Sequence, residues 1–469
     1  MAPHDIDLTG YGLPFWLDIE RPRYPALAGD VRADVAIVGA GIAGLKVADA
    51  AAEHGLDCVV LEAKQVGEGA SSRNQGCIVT GLPLSYGEMA ARGSRDVARS
   101  LVQLSHHNQE LLEEQMARHG ISCDYEVSGE CVLVRGDHAD LDAALAPLQR
   151  DASLMAEDGF AAEYLDAAAA RSVTGSPLFA GGIRFHRDAQ FHSGRFVVGL
   201  GAAVGRSPRV RIFEESPVVA LESSGAGAAH LIRTRHGSVS ADHLCVATNA
   251  LVPQLLPALT GTLRAERGQV LVTAPLTERP CRGCFAAGTA WWREVNEADG
   301  RFRLLFGGAR NRDEPDSLFP QYAADGRRNT RIGSAGFRPT LAHQRRLQAL
   351  LAELFPHLAD APITHRWGGL QAFTFDGLPA IGVFDADRCI HGLAGFSGLG
   401  NSYSNVGAAH LAARIAGAGD GLPPRLAETL KLLLAPGRSG ARWPGTEPTR
   451  ARTAPYGLVR RAAETGPGS

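Results

Sequence analysis

The sequence predicts a mixed α/β (α+β) fold, in which a Rossmann-like domain with a parallel sheet is interleaved with a domain built on antiparallel sheet. Three observations predict this architecture. A βαβ unit with a glycine-rich turn lies near the start of the chain, short apolar strands recur through the middle, and a second glycine-rich turn precedes a helix near residue 400. The 469 residues correspond to two or three domains at about 150 residues per domain.

The composition is that of an ordinary globular protein. Hydrophobic residues make up 45% and charged residues 21% of the chain, as in typical folded domains. The net charge of −3 gives no strong field toward nucleic acid or an anionic membrane. The first residues lack a basic segment followed by an apolar one, and no apolar stretch approaches the roughly 20 residues that cross a bilayer. We therefore expect a cytoplasmic protein without nucleic-acid or membrane partners.

The eight cysteines are expected to be reduced thiols, because the chain shows no export signal. Cys281 and Cys284 form a CxxC pair, which is typical of a redox pair or of half a metal site. We favour two unpaired thiols in a loop, because no second CxxC follows and no thioredoxin-like context surrounds the pair. The histidines show no HExxH spacing, so no metal site is predicted.

The first motif combines a strand, a glycine turn, a helix and a second strand. Residues 34–38 form a short apolar run that is typical of a buried parallel strand. This run leads into Gly39-Ala40-Gly41-Ile42-Ala43-Gly44, then into an alanine-rich helical stretch that Gly55 ends, and finally into a second apolar run before Glu62. Glu62 follows Gly39 by 23 positions, close to the roughly 20 expected for one dinucleotide-binding unit.

Each residue of this motif has a physical role in holding a dinucleotide. Gly39 allows the tight turn, Gly41 lets a pyrophosphate approach the backbone, and Gly44 lets the helix pack on the strand. The helix N-terminus offers free N–H groups to the pyrophosphate, and Glu62 can accept hydrogen bonds from ribose hydroxyls. A βαβ unit that binds nothing is the alternative, and the motif alone does not separate NAD from FAD.

A second motif, residues 67–76, favours FAD. Small residues, hydroxyls and glycines are dense there, so the backbone can wrap a ligand, and Arg73 can offer charge-assisted hydrogen bonds. A nicotinamide enzyme needs no such loop, and a flexible surface loop is the alternative. The predicted cofactor contacts in this region are Ala63, Lys64, Gly69, Ala70, Ser71, Ser72, Arg73, Asn74, Gln75 and Gly76.

Together these motifs resemble the D-amino-acid oxidase superfamily of FAD-dependent oxidoreductases, nearest to its γ-glutamylputrescine oxidoreductase, glycine oxidase and sarcosine oxidase branch. Two later blocks are also similar to that family. They are Trp367-Gly368-Gly369-Leu370 with Thr374, Asp376-Gly377, Pro379 and Ile381-Gly382, and the glycine-rich turn of residues 395–401. The resemblance implies a bound FAD with further contacts at Val218, Thr248, Asn249, Gly398, Leu399, Gly400 and Asn401.

The chain departs from the family at three places. Glycine oxidase has a carboxylate-binding arginine where this chain has Gln371, which disfavours a simple α-amino acid unless another arginine, such as Arg293, compensates. Covalent-flavin relatives have a cysteine near this block, and residues 371–373 include none, so non-covalent FAD is expected. Monomeric sarcosine oxidase has a lysine over the flavin, and residues 304–307 lack it, which leaves O2 or another electron acceptor open.

No acid or base is assigned as catalytic, because the flavin supplies the difficult chemistry and the protein positions the substrate. The predicted substrate-pocket residues are Gln269, Trp292, Arg293, Phe306, Trp367, Gln371, Phe396 and Asn401. Their aromatic rings favour an amine with an apolar part or a cationic group. Burial in the core is the alternative for Trp292 and Phe306, and a surface ion pair is the alternative for Arg293.

The predicted domain organisation alternates along the chain. It comprises an N-terminal arm at 1–30, an FAD-binding domain at 31–90, 186–254 and 361–425, a substrate domain at 91–185 and 255–360, and a tail at 426–469. The predicted function is oxidation of a small-molecule amine or amino-acid-like substrate to an imine, with hydride transfer to flavin N5. The alternatives are a biosynthetic flavoenzyme that acts on a larger amine or imine, and a catalytically silent flavin-binding partner subunit. The oligomeric state is not predicted.

Overall fold

The computed structural model describes residues 6, 8–9, 11–81, 84–92, 94–223, 229–310, 318–319, 336–374, 377–431 and 434–435. Asp376 of the predicted motif and residues 436–469 of the predicted tail lie outside the described residues. The described α-helices are α1 (Ile42–Glu53), α2 (Tyr86–Arg92), α3 (Arg95–His119), α4 (Leu141–Glu157), α5 (Ala167–Thr174), α6 (Ser193–Val204), α7 (Val252–Leu255), α8 (Leu341–Leu354), α9 (Gly400–Ile415) and α10 (Pro424–Lys431).

The described strands, in chain order, are β1 (Gly29–Val38), β2 (Cys58–Leu61), β3 (Cys77–Ile78), β4 (Glu130–Arg135), β5 (Ala162–Leu165), β6 (Phe179–Phe185), β7 (Ala189–Gln190), β8 (Val210–Phe213), β9 (Ala220–Ser223), β10 (His230–Arg233), β11 (Gly237–Val246), β12 (Arg264–Thr273), β13 (Cys284–Ala287), β14 (Ala290–Asn296), β15 (Phe302–Gly308), β16 (Leu318–Phe319), β17 (Ile363–Phe373), β18 (Ala380–Asp385), β19 (Ile390–Ala394) and β20 (Leu434–Ala435).

The first sheet carries the nucleotide-binding motif and has the order β20-β18-β19-β11-β1-β2-β8, with β10 and β9 joined beside β11. β1 lies at its centre and pairs in parallel with both β2 and β11. The side chains of residues 35–38 are buried, as expected of a parallel strand that is covered on both faces. The βαβ unit and the Rossmann-like domain predicted from the sequence are therefore confirmed.

The second sheet has the order β16-β12-β15-β14-β13-β4-β6-β5, with β17 paired to β12. Its ladders are antiparallel, apart from the parallel pairing of β13 with β4. One face of this sheet packs against α8 through an aromatic and aliphatic core that includes Trp292, Phe306, Leu347 and Leu351. The opposite face of β12, β14, β15 and β17 looks toward the first sheet, which confirms the interleaved mixed α/β architecture.

The segment boundaries differ from the predicted ones at two places. β17 was assigned to the FAD-binding domain by the predicted boundary at 361, but it pairs with β12 in the antiparallel sheet. The predicted boundary at 425 falls inside α10, and β20 beyond it pairs in parallel with β18 of the first sheet. The long helix α3 begins where the Ser94 side chain accepts a hydrogen bond from the Val97 amide, and it ends at Gly120, which has a φ of 63°.

A disulfide links the antiparallel sheet to a short two-stranded sheet of β3 and β7, contrary to the expected set of reduced thiols. It joins Cys77 of β3 to Cys284 of β13, which are 207 positions apart in the sequence. The predicted unpaired CxxC is therefore wrong for Cys284, whose partner comes from a distant strand rather than from its own motif. Cys281 is a free, buried thiol, and burial raises its pKa well above the ordinary value. Among the described residues, none of the helices combines the length and the apolar composition that spanning a bilayer requires.

We expect the contribution of one acidic pair to the stability of the protein to fall as the pH rises, because Asp188 is buried and lies beside the half-buried Glu130. Burial raises the pKa of Glu130 to about 7 and also raises that of Asp188, which the Glu130 charge raises further. A carboxyl whose pKa is raised by folding stabilises the protein fully below its unfolded pKa of about 4.5, and this contribution is lost as the pH passes through its folded pKa. Glu130→Gln should therefore melt about 2 °C or more above the native protein at pH 8.

Thermal melts at pH 5 and pH 8 test this expectation. The advantage of Glu130→Gln should be large at pH 8 and much smaller at pH 5. Glu114 on α3 is exposed and offers the matched control, so Glu114→Gln should follow the native protein at both pH values. Equal melting temperatures for Glu130→Gln and the native protein at pH 8 would show that the buried acids do not govern the pH dependence.

Candidate cofactor and substrate cleft

A cleft of about 510 Å³ lies between the two sheets. Val38, Leu61 and Ala247 line it from the carboxyl ends of β1, β2 and β11, which is where parallel α/β sheets bind ligands. The glycine turn before α1 and the turn before α9 reach the same cleft. Val270 of β12 and Trp291 of β14 line it from the antiparallel sheet, so one continuous space joins the nucleotide motif to the second domain.

The glycines of the first turn are required by close contacts. Gly39 has a φ of +107°, and a Cβ atom there would lie 2.9 Å from the carbonyl oxygen of Ala247. A Cβ atom on Gly44 would lie only 1.9 Å from the carbonyl oxygen of Gly39, so α1 packs directly on the turn. A Cβ atom on Gly41 would lie 2.8 Å from Ser71 Oγ. The turn therefore keeps an open backbone surface at the N-terminus of α1, as the sequence predicted.

Glu62 is held in place before any ligand binds. Its Oε2 accepts a hydrogen bond from the Ala40 amide (2.8 Å) and its Oε1 accepts one from the Lys64 amide (3.0 Å). Burial raises the pKa of Glu62, and the two amide hydrogen bonds oppose that rise. The carboxylate retains further acceptor capacity toward the cleft, which suits the two ribose hydroxyls of an adenosine.

Arg73 ties the second motif to the rest of the protein instead of presenting its charge to the cleft. Its Nε donates to the Glu68 carbonyl (2.9 Å), and its Nη1 donates to the carbonyls of Gly12 (3.1 Å) and Gly368 (3.0 Å). The guanidinium also lies 4.4 Å from the ring centroid of Phe337. The expected charge-assisted bonds to a ligand are thus replaced by bonds that join the loop to the N-terminal arm and to β17.

Most predicted cofactor residues line the cleft. These are Gly39, Gly41, Ile42, Ala43, Glu62, Ala63, Lys64, Gly69, Ala70, Ser71, Arg73, Asn74, Val218, Thr248, Asn249, Gly398, Gly400 and Asn401. Six others do not line it: Ala40, Gly44, Ser72, Gln75, Gly76 and Leu399. Ser72, for example, is fully buried and donates to the Gly67 carbonyl at 2.7 Å.

Three predicted substrate residues lie on the opposite face of the antiparallel sheet, away from the cleft. Trp292 is buried between Phe285 and Phe306, with stacked ring centroids at 5.6 and 6.2 Å. Gln269 is buried and bonds to Thr340, donating at 2.7 Å and accepting at 2.9 Å. Because side chains alternate along a strand, an error of one residue exchanges the two faces. This corrects the predicted positions of Gln269, Trp292 and Phe306.

Two further candidates are covered by the N-terminal arm. Arg293 is 3% exposed, and its Nη1 donates to the carbonyls of Gly76 (2.6 Å) and Phe191 (3.0 Å), beneath the Trp16 ring. Arg293 therefore neither compensates for a missing carboxylate partner in the cleft nor forms a surface ion pair. Trp367 is fully buried, and its Nε1 donates to the Arg73 carbonyl at 3.1 Å. The remaining candidates Gln371, Phe396 and Asn401 do line the cleft.

The sequence interpretation missed Trp291, Phe337 and Val270, which all line the cleft. Trp291 lies opposite Gly307 in the β14–β15 ladder, and Val270 lies opposite the same glycine in the β12–β15 ladder. Because Gly307 has no side chain, the Trp291 ring lies over it. The two adjacent tryptophans of β14 could have indicated Trp291, because adjacent side chains on a strand point to opposite faces. The sequence does not show, however, which of the two faces the cleft.

The fold and the cleft together define a dinucleotide-binding protein with two interleaved domains. The glycine turn, the N-terminus of α1, Glu62 and the loop at 67–76 provide the donor and acceptor set that suits an adenine dinucleotide. The chain belongs to the DAO family, described as FAD dependent oxidoreductase, whose model matches residues 34–414.

Curated relatives support the same family membership. The chain is 27% identical over 401 residues to γ-glutamylputrescine oxidoreductase of Escherichia coli (strain K12), and the match covers 84% of both proteins. It is also 27% identical over 370 residues to a probable oxidoreductase, OrdL, of Rhizobium meliloti (strain 1021), with 77% of this chain and 78% of the relative covered.

Solved structures share the fold at lower identity. Glycine oxidase from Geobacillus kaustophilus superposes with a TM-score of 0.66 at 21% identity, covering 82% of this chain and 95% of its own. L-proline dehydrogenase from P. horikoshii superposes with a TM-score of 0.67 at 17% identity, covering 85% and 96%. These likenesses establish the fold shared by the chain and the family.

Proposed function

We propose that the protein binds FAD non-covalently in the cleft and oxidises an amine to an imine. The observation that carries this proposal is the continuity of the cleft, which runs from the glycine turn at Gly41 to the antiparallel sheet at Val270 and Trp291. Bound FAD would supply the hydride acceptor for a C–H bond next to the amine nitrogen. No cysteine lines the cleft among the described residues, which supports non-covalent attachment.

The residues at the substrate end hold and dehydrate an apolar part of the amine. Val270, Trp291, Leu370 and Phe396 supply aliphatic and aromatic surface there. Such surface excludes water and orients a substrate by shape, while a few polar groups fix its direction. The proposed substrate is therefore an amine with an apolar part, and the Trp291 face can also attract a cationic group.

Gln371 is a polar side chain of the cleft whose amide oxygen has a defined partner. Its Oε1 accepts from Arg310 Nη1 at 2.9 Å, and the same Nη1 donates to the buried Glu266 at 3.0 Å. The amide nitrogen of Gln371 lies on the other side, 3.8 Å from where a Cβ atom of Gly268 would be. Because Gly268 also lines the cleft, Gln371 presents N–H donors to it, and these suit a carbonyl or carboxylate oxygen of the substrate.

Anaerobic mixing with candidate amines tests the proposed activity. Polyamine derivatives, N-methyl amino acids and D-amino acids should each be added to the oxygen-free protein while the flavin absorbance is recorded. At least one of these classes of amine should bleach the absorbance bands of the flavin within the time of one turnover. Unchanged absorbance with every amine would contradict amine oxidation, whereas a protein without flavin absorbance would contradict the cofactor itself. Reoxidation with O2 and with an artificial acceptor would then separate an oxidase from a dehydrogenase.

Gln371→Glu should lower kcat/KM about 10- to 100-fold for a substrate that places a carbonyl or carboxylate oxygen at this side chain. The change keeps the shape and the acceptor for Arg310, but it replaces the N–H donors by a carboxylate oxygen, and losing such a contact costs roughly 1–3 kcal/mol. FAD affinity should remain native. Steady-state kinetics and the flavin-to-protein ratio measure both quantities, and native kcat/KM on the best amine would exclude Gln371 from substrate contact.

A further inference from the structure

Lys46 carries a buried amine that the proposed chemistry does not use. It lies on α1, one turn beyond Ile42, and is 2% exposed. Its Nζ donates to Ser404 Oγ at 2.9 Å and to Asn405 Oδ1, both on α9, and lies 5.4 Å from the ring centroid of Phe196. Buried charges are normally paired with an opposite charge. Within the described part of the chain, no carboxylate lies within ion-pair distance of Lys46.

A chain of hydrogen bonds fixes the polarity of this site. Asp49, which accepts from Arg118 (3.0 Å), also accepts from Gln115 Nε2 at 2.6 Å. Gln115 Oε1 in turn accepts from Asn405 Nδ2 at 3.3 Å. Because a carboxylate only accepts, each amide has a single orientation. The oxygen of Asn405 therefore faces Lys46, and the neighbours of Nζ are acceptors and an aromatic ring, which suit an ammonium.

The orientation of Ser404 follows from that of Lys46. Ser404 is 1% exposed and lines the cleft. Its Oγ accepts from Lys46 Nζ, and the protonated amine cannot accept the hydroxyl proton in return. The described residues contain no other hydrogen-bond partner for the Ser404 hydroxyl. The hydroxyl proton is therefore available to a ligand in the cleft.

The wall of the cleft near Ser404 is electrically positive. α1 and α9 both begin at the cleft, at Ile42 and Gly400, and helix N-termini carry partial positive charge. The Lys46 amine lies between them and adds a further positive charge when it is protonated. Burial lowers the pKa of Lys46 well below its ordinary value, and an anion in the cleft would oppose that loss of charge. This wall suits an anionic oxygen.

We propose that Lys46 is a positioning residue for the cofactor, which directs the Ser404 hydroxyl toward an anionic oxygen of bound FAD and stabilises that oxygen. The inference rests on the proposed function only in that FAD occupies the cleft. Two parts of FAD offer such an oxygen: the pyrophosphate and the pyrimidine edge of the reduced flavin. Both would gain from the same donor and the same nearby charge.

Lys46→Met, Ser404→Ala and the double variant test the inference without any amine substrate. The measurements are the Kd for FAD, the Kd for ADP and the two-electron midpoint potential. If the pyrophosphate is the partner, Lys46→Met should weaken FAD and ADP about tenfold and leave the potential native. If the reduced flavin is the partner, ADP should bind normally and the potential should fall by about 30 mV, which corresponds to a tenfold change. Ser404→Ala should shift the same quantity in the same direction.

Because Lys46 acts partly through Ser404, the double variant should match Lys46→Met rather than add the two effects. Native affinities and a native potential in both single variants would overturn the inference, as would additive effects in the double variant. Ser404→Ala removes one hydroxyl and keeps the test valid if Lys46→Met does not fold. A colourless native protein that takes up no FAD would instead refute the proposed cofactor. If the variants shift the Kd values or the midpoint potential but no amine bleaches the flavin, only the proposed substrate would be refuted.

Discussion

Gly44→Ala should raise the Kd for FAD about 100-fold or more, equivalent to about 2.7 kcal/mol. The added Cβ atom would lie 1.9 Å from the Gly39 carbonyl oxygen, and no side chain can move to relieve a contact between two backbone segments. α1 must shift away from the turn, which moves its N-terminus out of the place where it meets a pyrophosphate. Overpacking of this kind also costs about 1–3 kcal/mol of stability.

Titration of the apoprotein with FAD, followed by flavin fluorescence, measures this effect, and a thermal melt measures the loss of stability. Gly136→Ala is the matched control, because its added Cβ atom would meet its nearest neighbour, the Leu178 carbonyl, at an ordinary 3.6 Å. The control should bind FAD normally. If Gly44→Ala also bound FAD with native affinity, the glycine turn would not be the pyrophosphate site.

Gly307→Ala should lower kcat/KM about 100-fold while leaving FAD affinity near native. The new Cβ atom would lie 2.3–2.8 Å from three carbon atoms of the Trp291 ring. The ring must leave its position over Gly307 and move into the substrate end of the cleft. The glycine turn and Glu62 lie at the other end, so the cofactor contacts should be preserved.

Steady-state kinetics on the best amine and the flavin-to-protein ratio separate these two effects. Trp291→Phe in the Gly307→Ala background should recover part of the loss, because the smaller ring leaves room for the added methyl group. Unchanged kinetics for Gly307→Ala would remove Trp291 from the proposed substrate surface. A loss of bound FAD in the same variant would instead indicate that this part of the antiparallel sheet supports the cofactor.

The nucleotide half of the cleft could be predicted from the sequence because its physics is local. Gly39, Gly44 and Glu62 act within one βαβ unit, where the required backbone geometry leaves glycines at fixed spacing. In the structure, Gly39 and Gly44 are in close contact within the turn, and Glu62 accepts from the Ala40 amide of the same turn. The later turn at 398–401 also reaches the cleft, and family resemblance rather than local physics indicated it.

The substrate half could not be predicted in the same way, because it depends on which face of a strand is covered. Trp291 and Trp292 are adjacent on β14 and differ in what covers them. Trp292 packs in the core against α8, whereas Trp291 lines the cleft. Arg293 lies on the same face of β14 as Trp291, but Trp16 of the N-terminal arm covers it. The Cys77–Cys284 disulfide joins the β3–β7 sheet to the antiparallel sheet, and its two residues, 207 positions apart, come together only in the folded protein.

The position of β1 between β2 and β11 has a consequence for synthesis of the protein. During synthesis, the first βαβ unit leaves the ribosome early. Asp30 of β1 can pair with its neighbour Ser238 only after Ser238 has been synthesised. The helix α1 can pack against α9 only after the chain has passed Gly400, where α9 begins. Contacts so distant along the chain form slowly and leave apolar surface exposed to aggregation meanwhile. A nascent chain stalled before Gly400 would thus lack the helix that holds Lys46 and would be a natural client for chaperones.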